Sequence, residues 1–328
     1  HSHQQRGMTM AHNKMAVVGI GATGTVLAAA LLARHPETVL VGRTPETGKI
    51  LVKDAILASG ALALKASVRH YTTDIQDLAQ HDPQVIFLAV KTFHLDPVLN
   101  ELEKVYRPGM KIISMQNGLG PEDRIASRFG KNAALRLSLN YGASLVQPGN
   151  VTVNFFNKPN HLGVLAPEER PLGLEIAQTL TRCGLDTELV DDIRLNVWKK
   201  MIMKCTMAAI CAVTNLTIRE ALDYPPARQV ADACFAEALA VAQAQGYDLG
   251  ENYLGQALGY LEKVGAHKDS ICYDIEKKTP TEIDFLGAKV VDYARQKGVP
   301  VPFYTTMTAM VKAIEHGYLK TEKTEESL

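Results

Sequence analysis

Residues 15–34 read MAVVGIGATGTVLAAALLAR, and the character of the first half of the chain follows from this stretch. An apolar run at 15–18 gives way to Gly19-Ile20-Gly21-Ala22-Thr23-Gly24, and an Ala/Leu-rich run of helical character follows. A short buried strand, a turn spelling GxGxxG and a helix form the context in which that motif holds a dinucleotide. Gly19 permits the tight turn, Gly21 lets backbone approach a pyrophosphate, and Gly24 lets the helix pack on the strand. The amides around Ala22 and Thr23, at the helix start, then face the negative phosphates. Without a ligand the same residues would form a glycine-rich strand-to-helix turn; the flanking strand and helix favour the binding reading.

Outward from this turn, residues 38–41 read as a second short strand, and continuous apolar runs at 84–90 and 111–115 read as strands buried on both faces. Helical stretches separate them, which implies βαβ units and a parallel sheet. Further strands are expected near 136–140, 151–155 and 187–190. After about Asp191 the pattern becomes helical, with helices predicted over 193–211, 227–245, 253–264, 282–297 and 304–316. Gly246, Gly298 and Pro300 punctuate them. The predicted class is α/β. An N-terminal Rossmann-type doubly wound parallel sheet that holds the dinucleotide spans 14–190. An all-helical C-terminal domain for substrate and catalysis spans 191–320, and 1–13 and 321–328 are expected to be flexible tails.

A chain of 328 residues suffices for two domains, each with its own core. Lys+Arg and Asp+Glu both number 35, so the basic excess of a general nucleic-acid or anionic-membrane binder is absent. The 5 cysteines are odd in number and show no CxxC pair, which reads as buried free thiols in a reducing compartment rather than a metal site. No apolar run reaches the roughly 18 residues needed to span a bilayer. Residues 1–13 lack the apolar core of a signal peptide. A cytoplasmic protein with no nucleic-acid, membrane or metal partner is expected. A homodimer is allowed rather than indicated, dimers being the commonest soluble assembly.

The second strand ends in Val41-Gly42-Arg43-Thr44. An NAD site places Asp or Glu there, about 20 residues beyond the glycines, to bond the ribose 2′-hydroxyl. Here no carboxylate is in place, and the Arg43 guanidinium can pair in bidentate fashion with a 2′-phosphate. NADP (NADPH) is the expected cofactor. Ligands of open parallel sheets lie off the carboxyl ends of the strands, where Lys91 and Gln116-Asn117-Gly118 stand. Each alone would be an ordinary strand end or Asn-Gly turn; together with the glycine turn they read as cofactor-lining.

Residues 198–213, WKKMIMKCTMAAICAV, form an oily helix in which Lys200 and Lys204 share a face with Met207 and Cys211. An ammonium buried without water or a partner costs several kcal/mol, so this face is expected to meet a wet or anion-holding cleft. Ketone reduction needs a proton for the developing alkoxide, which a lysine can stabilise and then protonate. A second cation one turn away would hold a substrate carboxylate and lower its neighbour's pKa. The alternative is a pair of lysines reaching to solvent at a domain edge. In the acidic segment 269–284, Thr281-Glu282 is expected to open the helix 282–297, with Glu282 as a first-turn carboxylate favoured by the dipole.

In order and separation, GxGxxG, Val90-Lys91-Thr92, Gln116-Asn117-Gly118, Trp198-x-Lys200 and Ser270-x3-Asp274-x7-Glu282-Ile283-Asp284 resemble the ketopantoate reductase (2-dehydropantoate 2-reductase) family. So does Lys297-Gly298-Val299-Pro300-Val301-Pro302 after the last long helix, and the resemblance runs from about residue 15 to 314. It implies a Rossmann domain joined to an all-helical domain and NADPH-dependent reduction of 2-dehydropantoate to pantoate. By motif position it implies Lys200 as general acid and Glu282 as the carboxylate that helps place cofactor and substrate. It implies Asn117 at both ligands, Lys91 at the cofactor, Ser270 at the substrate carboxylate and Ala143 on the nicotinamide side. Two positions depart from it, since Lys204 and Ala208 stand where the family's helix usually carries asparagines. Losing paired amides changes substrate preference, so a different 2-oxo acid, with Lys204 holding an anionic group, is the alternative. A non-catalytic NADP-binding sensor is a further one.

Overall fold

Strand β1 (Met15–Val18), buried throughout, pairs in parallel with β2 (Val39–Val41) on one side and with β6 (Val85–Leu88) on the other. The structure, a computed structural model, describes residues 14–325, with side chains through 320. The expected tail at 1–13 lies outside them. Beyond β2 the sheet adds β5 (His70–Thr72), and beyond β6 it adds β7 (Lys111–Ser114) and β8 (Ala134–Ser138), all parallel. Antiparallel β11 (Asn160–Val164) and then β12 (Thr187–Leu189) extend the far edge, giving the order β12-β11-β8-β7-β6-β1-β2-β5. This is the doubly wound sheet expected from sequence, with its direction of winding reversed between β1 and β6. That reversal point is where such folds bind ligands.

Helix α1 (Ala22–Leu32) is buried at every residue from Gly24 to Leu32. A helix apolar on all sides has to be covered on all sides. The main sheet covers one side, and an unexpected four-stranded sheet, β4-β3-β10-β9, covers the other. Its strands are β3 (Ile56–Gly60), β4 (Leu64–Ala66), β9 (Tyr141–Gln147) and β10 (Asn150–Phe156). Ile56, Ala58, Val151 and Val153 from this sheet share a core with Val26, Leu27 and Leu31 of α1. Only the strand near 151–155 was foreseen. Helix α2 (Pro45–Asp54) contributes Leu51 to that core, and α6 (Arg170–Arg182) contributes Ile176, Ala177 and Leu180. On the opposite face of the main sheet, Ala16, Val18, Ile86 and Leu88 pack with α3 (Leu78–His81), α4 (Leu95–Glu103) and α5 (Pro121–Phe129).

The described residues divide by their contacts into two compact units. One holds the chain through Gln116 together with Gly120–Ile193; the other holds Asn117–Leu119 and the chain from Arg194 on. The second unit contains no strand among the described residues. It is built from α7 (Ile193–Thr214), α8 (Ile218–Asp223), α9 (Pro225–Ala244), α10 (Tyr253–Val264), α11 (Ser270–Glu276), α12 (Gly287–Lys297) and α13 (Pro302–Glu325). None of the described helices is long and apolar enough to cross a membrane.

Three local outcomes differ from the sequence expectation. The helix expected over 282–297 begins at Gly287, after a 3-10 turn at Ile283–Phe285. Glu315 of α13 accepts bonds from both the amide and the hydroxyl of Thr281, so the residues meant to open α12 are bonded elsewhere. Glu282 is therefore not a first-turn residue of α12, and the dipole argument for it fails. Helix α13 starts at Pro302, where Glu237 of α9 accepts the amides of Phe303 (2.9 Å) and Tyr304 (2.8 Å). It runs to Glu325, past the point where a tail was expected, through Lys- and Glu-rich sequence of good helix propensity. The unforeseen α8 starts on a capping box between Thr217 and Glu220.

All five cysteines are buried and unpaired. Burial pushes the thiols of Cys205, Cys211 and Cys234 up to about 12 and that of Cys272 up to about 11. Thiolate is the reactive form, so a disulfide reagent at about pH 8 is expected to leave the folded protein unmodified and to titrate five thiols once it is denatured. Prompt reaction of any thiol in the native protein would contradict this.

Candidate active site

The glycine turn is shaped by contact on two sides and by space on the third. Gly19 has φ +100°, and a Cβ there would stand 2.7 Å from the amide nitrogen of Val90, at the end of β6. At Gly24 a Cβ would stand 1.9 Å from the carbonyl oxygen of Gly19, so α1 rests directly on the turn. At Gly21, the N-cap of α1, no atom lies within 4 Å of where a Cβ would be. No side chain caps this helix and its first turn carries no acid. Unsatisfied amides and the positive end of the helix dipole therefore face open space, which fits a pyrophosphate. The Tyr141 hydroxyl donates to the Thr23 carbonyl at 2.9 Å and ties β9, the strand carrying Ala143, to the turn. Arg43, exposed, follows Gly42 just beyond β2; Lys91, also exposed, precedes the 3-10 turn Thr92–His94 beyond β6.

The second unit gathers the remaining predicted residues. Lys200 and Lys204 are partly buried on one face of α7, and Met207 and Cys211 close that face further along. The Lys200 ammonium donates to Asn117 Oδ1 at 3.3 Å. Asn117 is held by its neighbours. The Gly118 amide donates to Met201 Sδ (3.1 Å), and the Leu119 amide donates to the Phe285 carbonyl (3.1 Å). With φ +107°, Gly118 passes so close that a Cβ would stand 2.6 Å from that same carbonyl oxygen; only glycine allows both the conformation and the approach. The turn Ile283–Phe285 thus fixes the Asn117 loop, and half-buried Glu282 stands immediately before it.

Lys204 departs from expectation. Its ammonium donates to Asp269 Oδ2 (3.0 Å) and Oδ1 (3.2 Å) and to Ser270 Oγ (2.9 Å). Burial works to lower its pKa, but the Asp269 carboxylate, reinforced by Glu282, outweighs burial and holds it above the ordinary lysine value. A raised value keeps the ammonium charged through neutral pH and loses its contribution only as pH climbs through the folded-state value. The anion this lysine requires is therefore supplied by the chain. Ser270 accepts from Lys204 and donates to Asp269 Oδ1 at 3.3 Å, which makes a closed set of three. Ala208 is fully buried and lines no open space.

Asp269 was overlooked, although the rule that an oily-helix lysine needs a counter-charge could have pointed to the acidic segment beginning there. It also caps α11, accepting the Ile271 amide at 3.1 Å. Also unforeseen is a buried ion pair in the first unit, Arg136 Nη1 to Glu122 Oε2 at 2.5 Å, with side chains 2% and 4% exposed. Arg136 Nη2 donates to the carbonyl of Gln116 at 2.6 Å, one residue before Asn117. The lone arginine in the apolar strand β8 was the available signal.

Residues 15–167 match the family model for ketopantoate reductase PanE/ApbA, and residues 192–315 match the model for its C-terminal part. The 2-dehydropantoate 2-reductase of Pyrococcus horikoshii is 26% identical over 303 residues, covering 92% of this chain and 97% of that protein. Among crystal structures, a PanE/ApbA family ketopantoate reductase from Ralstonia eutropha JMP134 superposes with TM-score 0.84 at 20% identity, over 93% of this chain and 99% of that one. A D-mandelate dehydrogenase in ternary complex with NADH and anilino(oxo)acetate superposes with TM-score 0.82 at 20% identity, over 93% and 99%. At such identities these two likenesses establish a shared fold.

Proposed function

Because the chain belongs to the ketopantoate reductase family of oxidoreductases, we propose that it reduces a 2-oxo acid to the 2-hydroxy acid with NADPH. The substrate to which the family points first is 2-dehydropantoate, with pantoate as product. The observation that carries the reading is the Lys200 ammonium, 3.3 Å from Asn117 Oδ1 on a loop that Gly118 lets close against its own support.

Gly19, Gly21, Ala22, Thr23 and Gly24 would hold the pyrophosphate and Arg43 the 2′-phosphate, while Lys91, Asn117, Ala143 and Glu282 are assigned to the rest of the cofactor. Bound there, NADPH supplies the hydride. Lys200 stabilises the charge that builds on the carbonyl oxygen and gives its proton to it. Asn117, accepting a bond from that ammonium, fixes its direction. Lys204 and Ser270 are assigned to the substrate carboxylate, which would take over donors now directed at Asp269.

The Lys204–Asp269 pair narrows the substrate to acids with one carboxylate, a class that holds 2-dehydropantoate and, as the second reading, bulkier 2-oxo acids. A neutralised cation has little net charge with which to attract a second carboxylate. That suits a monocarboxylic 2-oxo acid, including aryl compounds of the kind held by the structurally similar mandelate dehydrogenase. Steady-state rates with NADPH over 2-dehydropantoate, branched and aryl 2-oxo acids, and 2-oxoglutarate would separate the readings. A monocarboxylic compound is expected to reach a kcat/KM of about 10⁴ M⁻¹s⁻¹ or more. If 2-dehydropantoate does so, the first reading holds; if only a bulkier acid does, the second holds. Saturable NADPH binding with no turnover on any of them would remove the enzyme reading in favour of a sensor.

A further inference from the structure

Strands β2 and β5 run in parallel with Leu40 opposite Tyr71, and the Gly42 amide continues the ladder to the Thr72 carbonyl at 3.0 Å. The Tyr71 ring lies wedged between two glycines. A Cβ on Gly42 would stand 2.1 Å from its Oη, 2.7 Å from Cζ and 2.8 Å from Cε2. On the other edge of the ring, a Cβ on Gly48 of α2 would stand 2.3 Å from Cδ1 and 2.5 Å from Cε1. The hydroxyl donates to the Thr44 carbonyl at 2.7 Å, and Thr44 itself caps α2 through the Thr47 amide. The ring cannot back away from residue 42 without meeting the chain at Gly48. It cannot swing outward without giving up its hydrogen bond.

Residue 42 is the strand-end position at which sites for an unphosphorylated ribose place their acidic side chain. We infer that Tyr71 is a cofactor-specificity residue, its ring filling the space that an NAD-type carboxylate at position 42 would need. Discrimination then has two parts, attraction of the 2′-phosphate at Arg43 and exclusion by packing at Tyr71. The inference rests on the NADPH reading above and concerns only how that preference is built.

Thermal melts of the cofactor-free protein test the packing directly. Gly42→Ala is expected to lower the midpoint clearly in the native background and to have little effect in a Tyr71→Ala background. Equal losses in the two backgrounds would overturn the inference. Fluorescence titrations then give Kd for NADH and NADPH. Gly42→Asp alone is expected to leave NADH binding no tighter. Gly42→Asp with Tyr71→Ala is expected to tighten it by about tenfold or more over Gly42→Asp, the effect of a charge-assisted hydrogen bond to the ribose. An equal gain from Gly42→Asp alone, or no gain in the double variant, would overturn the proposal. If the native protein binds NADH as tightly as NADPH, the cofactor reading fails, and the melts still decide the packing question by themselves.

Discussion

Replacing Lys200 with alanine is expected to lower kcat by about 10⁴-fold or more, since a positioned proton donor and an oxyanion partner are lost together. NADPH binding is expected to stay within about twofold of native, because the glycine turn and Arg43 belong to the other unit of the chain. Arginine at the same position separates the two roles. A guanidinium keeps the positive charge but does not release a proton at accessible pH. Lys200→Arg should therefore recover part of the KM for the 2-oxo acid and little of kcat. Single-turnover mixing of enzyme, NADPH and substrate reads the chemical step without product release. Retention of kcat within about tenfold in Lys200→Ala would remove Lys200 from the mechanism.

What could be read from the sequence was local. The strand, glycine turn and helix of 15–34 are contiguous, and each residue type has its meaning from its immediate neighbours. Helical spacing likewise put Lys200 and Lys204 on one face of α7. What those lysines meet was set elsewhere, since Asn117 lies 83 residues from Lys200 and Asp269 lies 65 from Lys204. A counter-charge was required by the physics of burial, but no spacing rule names its position.

The small sheet was hidden for a different reason. Strand β3 reads ILASG with alternating burial and β9 is mostly exposed, so neither shows the continuous apolar run of the central strands. The one advance sign was α1, which has no polar face to give to water. Glu282 shows how tertiary bonding overrides a local start signal. Pro280-Thr281 is a sound helix opening, yet Glu315, 34 residues further on, takes Thr281 and delays α12 to Gly287.

Glu122→Ala should be the most destabilising change among the residues named here, because it strands the Arg136 guanidinium in a site where its side chain is 2% exposed. Removing one partner of such a pair costs about 3–5 kcal/mol, a midpoint loss of roughly 10 °C for a unit of this size. Replacing both partners with apolar residues, Glu122→Leu with Arg136→Met, leaves no buried charge and should recover most of that loss. Activity should not follow. Without Arg136 the Gln116 carbonyl loses the donor now 2.6 Å away, and Asn117 is the next residue along the chain. A displacement of about 1 Å in a positioning group can cost about 10²-fold in rate, so the double variant is expected to melt near native yet turn over far more slowly. Its Kd for NADPH should rise far less than kcat falls, since the glycine turn and Arg43 are untouched and Asn117 is one of several residues assigned to the cofactor. A double variant with native kcat would mean that Gly118 and Leu119 alone fix the loop through Met201 and Phe285, and that the ion pair serves the core of the first unit and nothing beyond it.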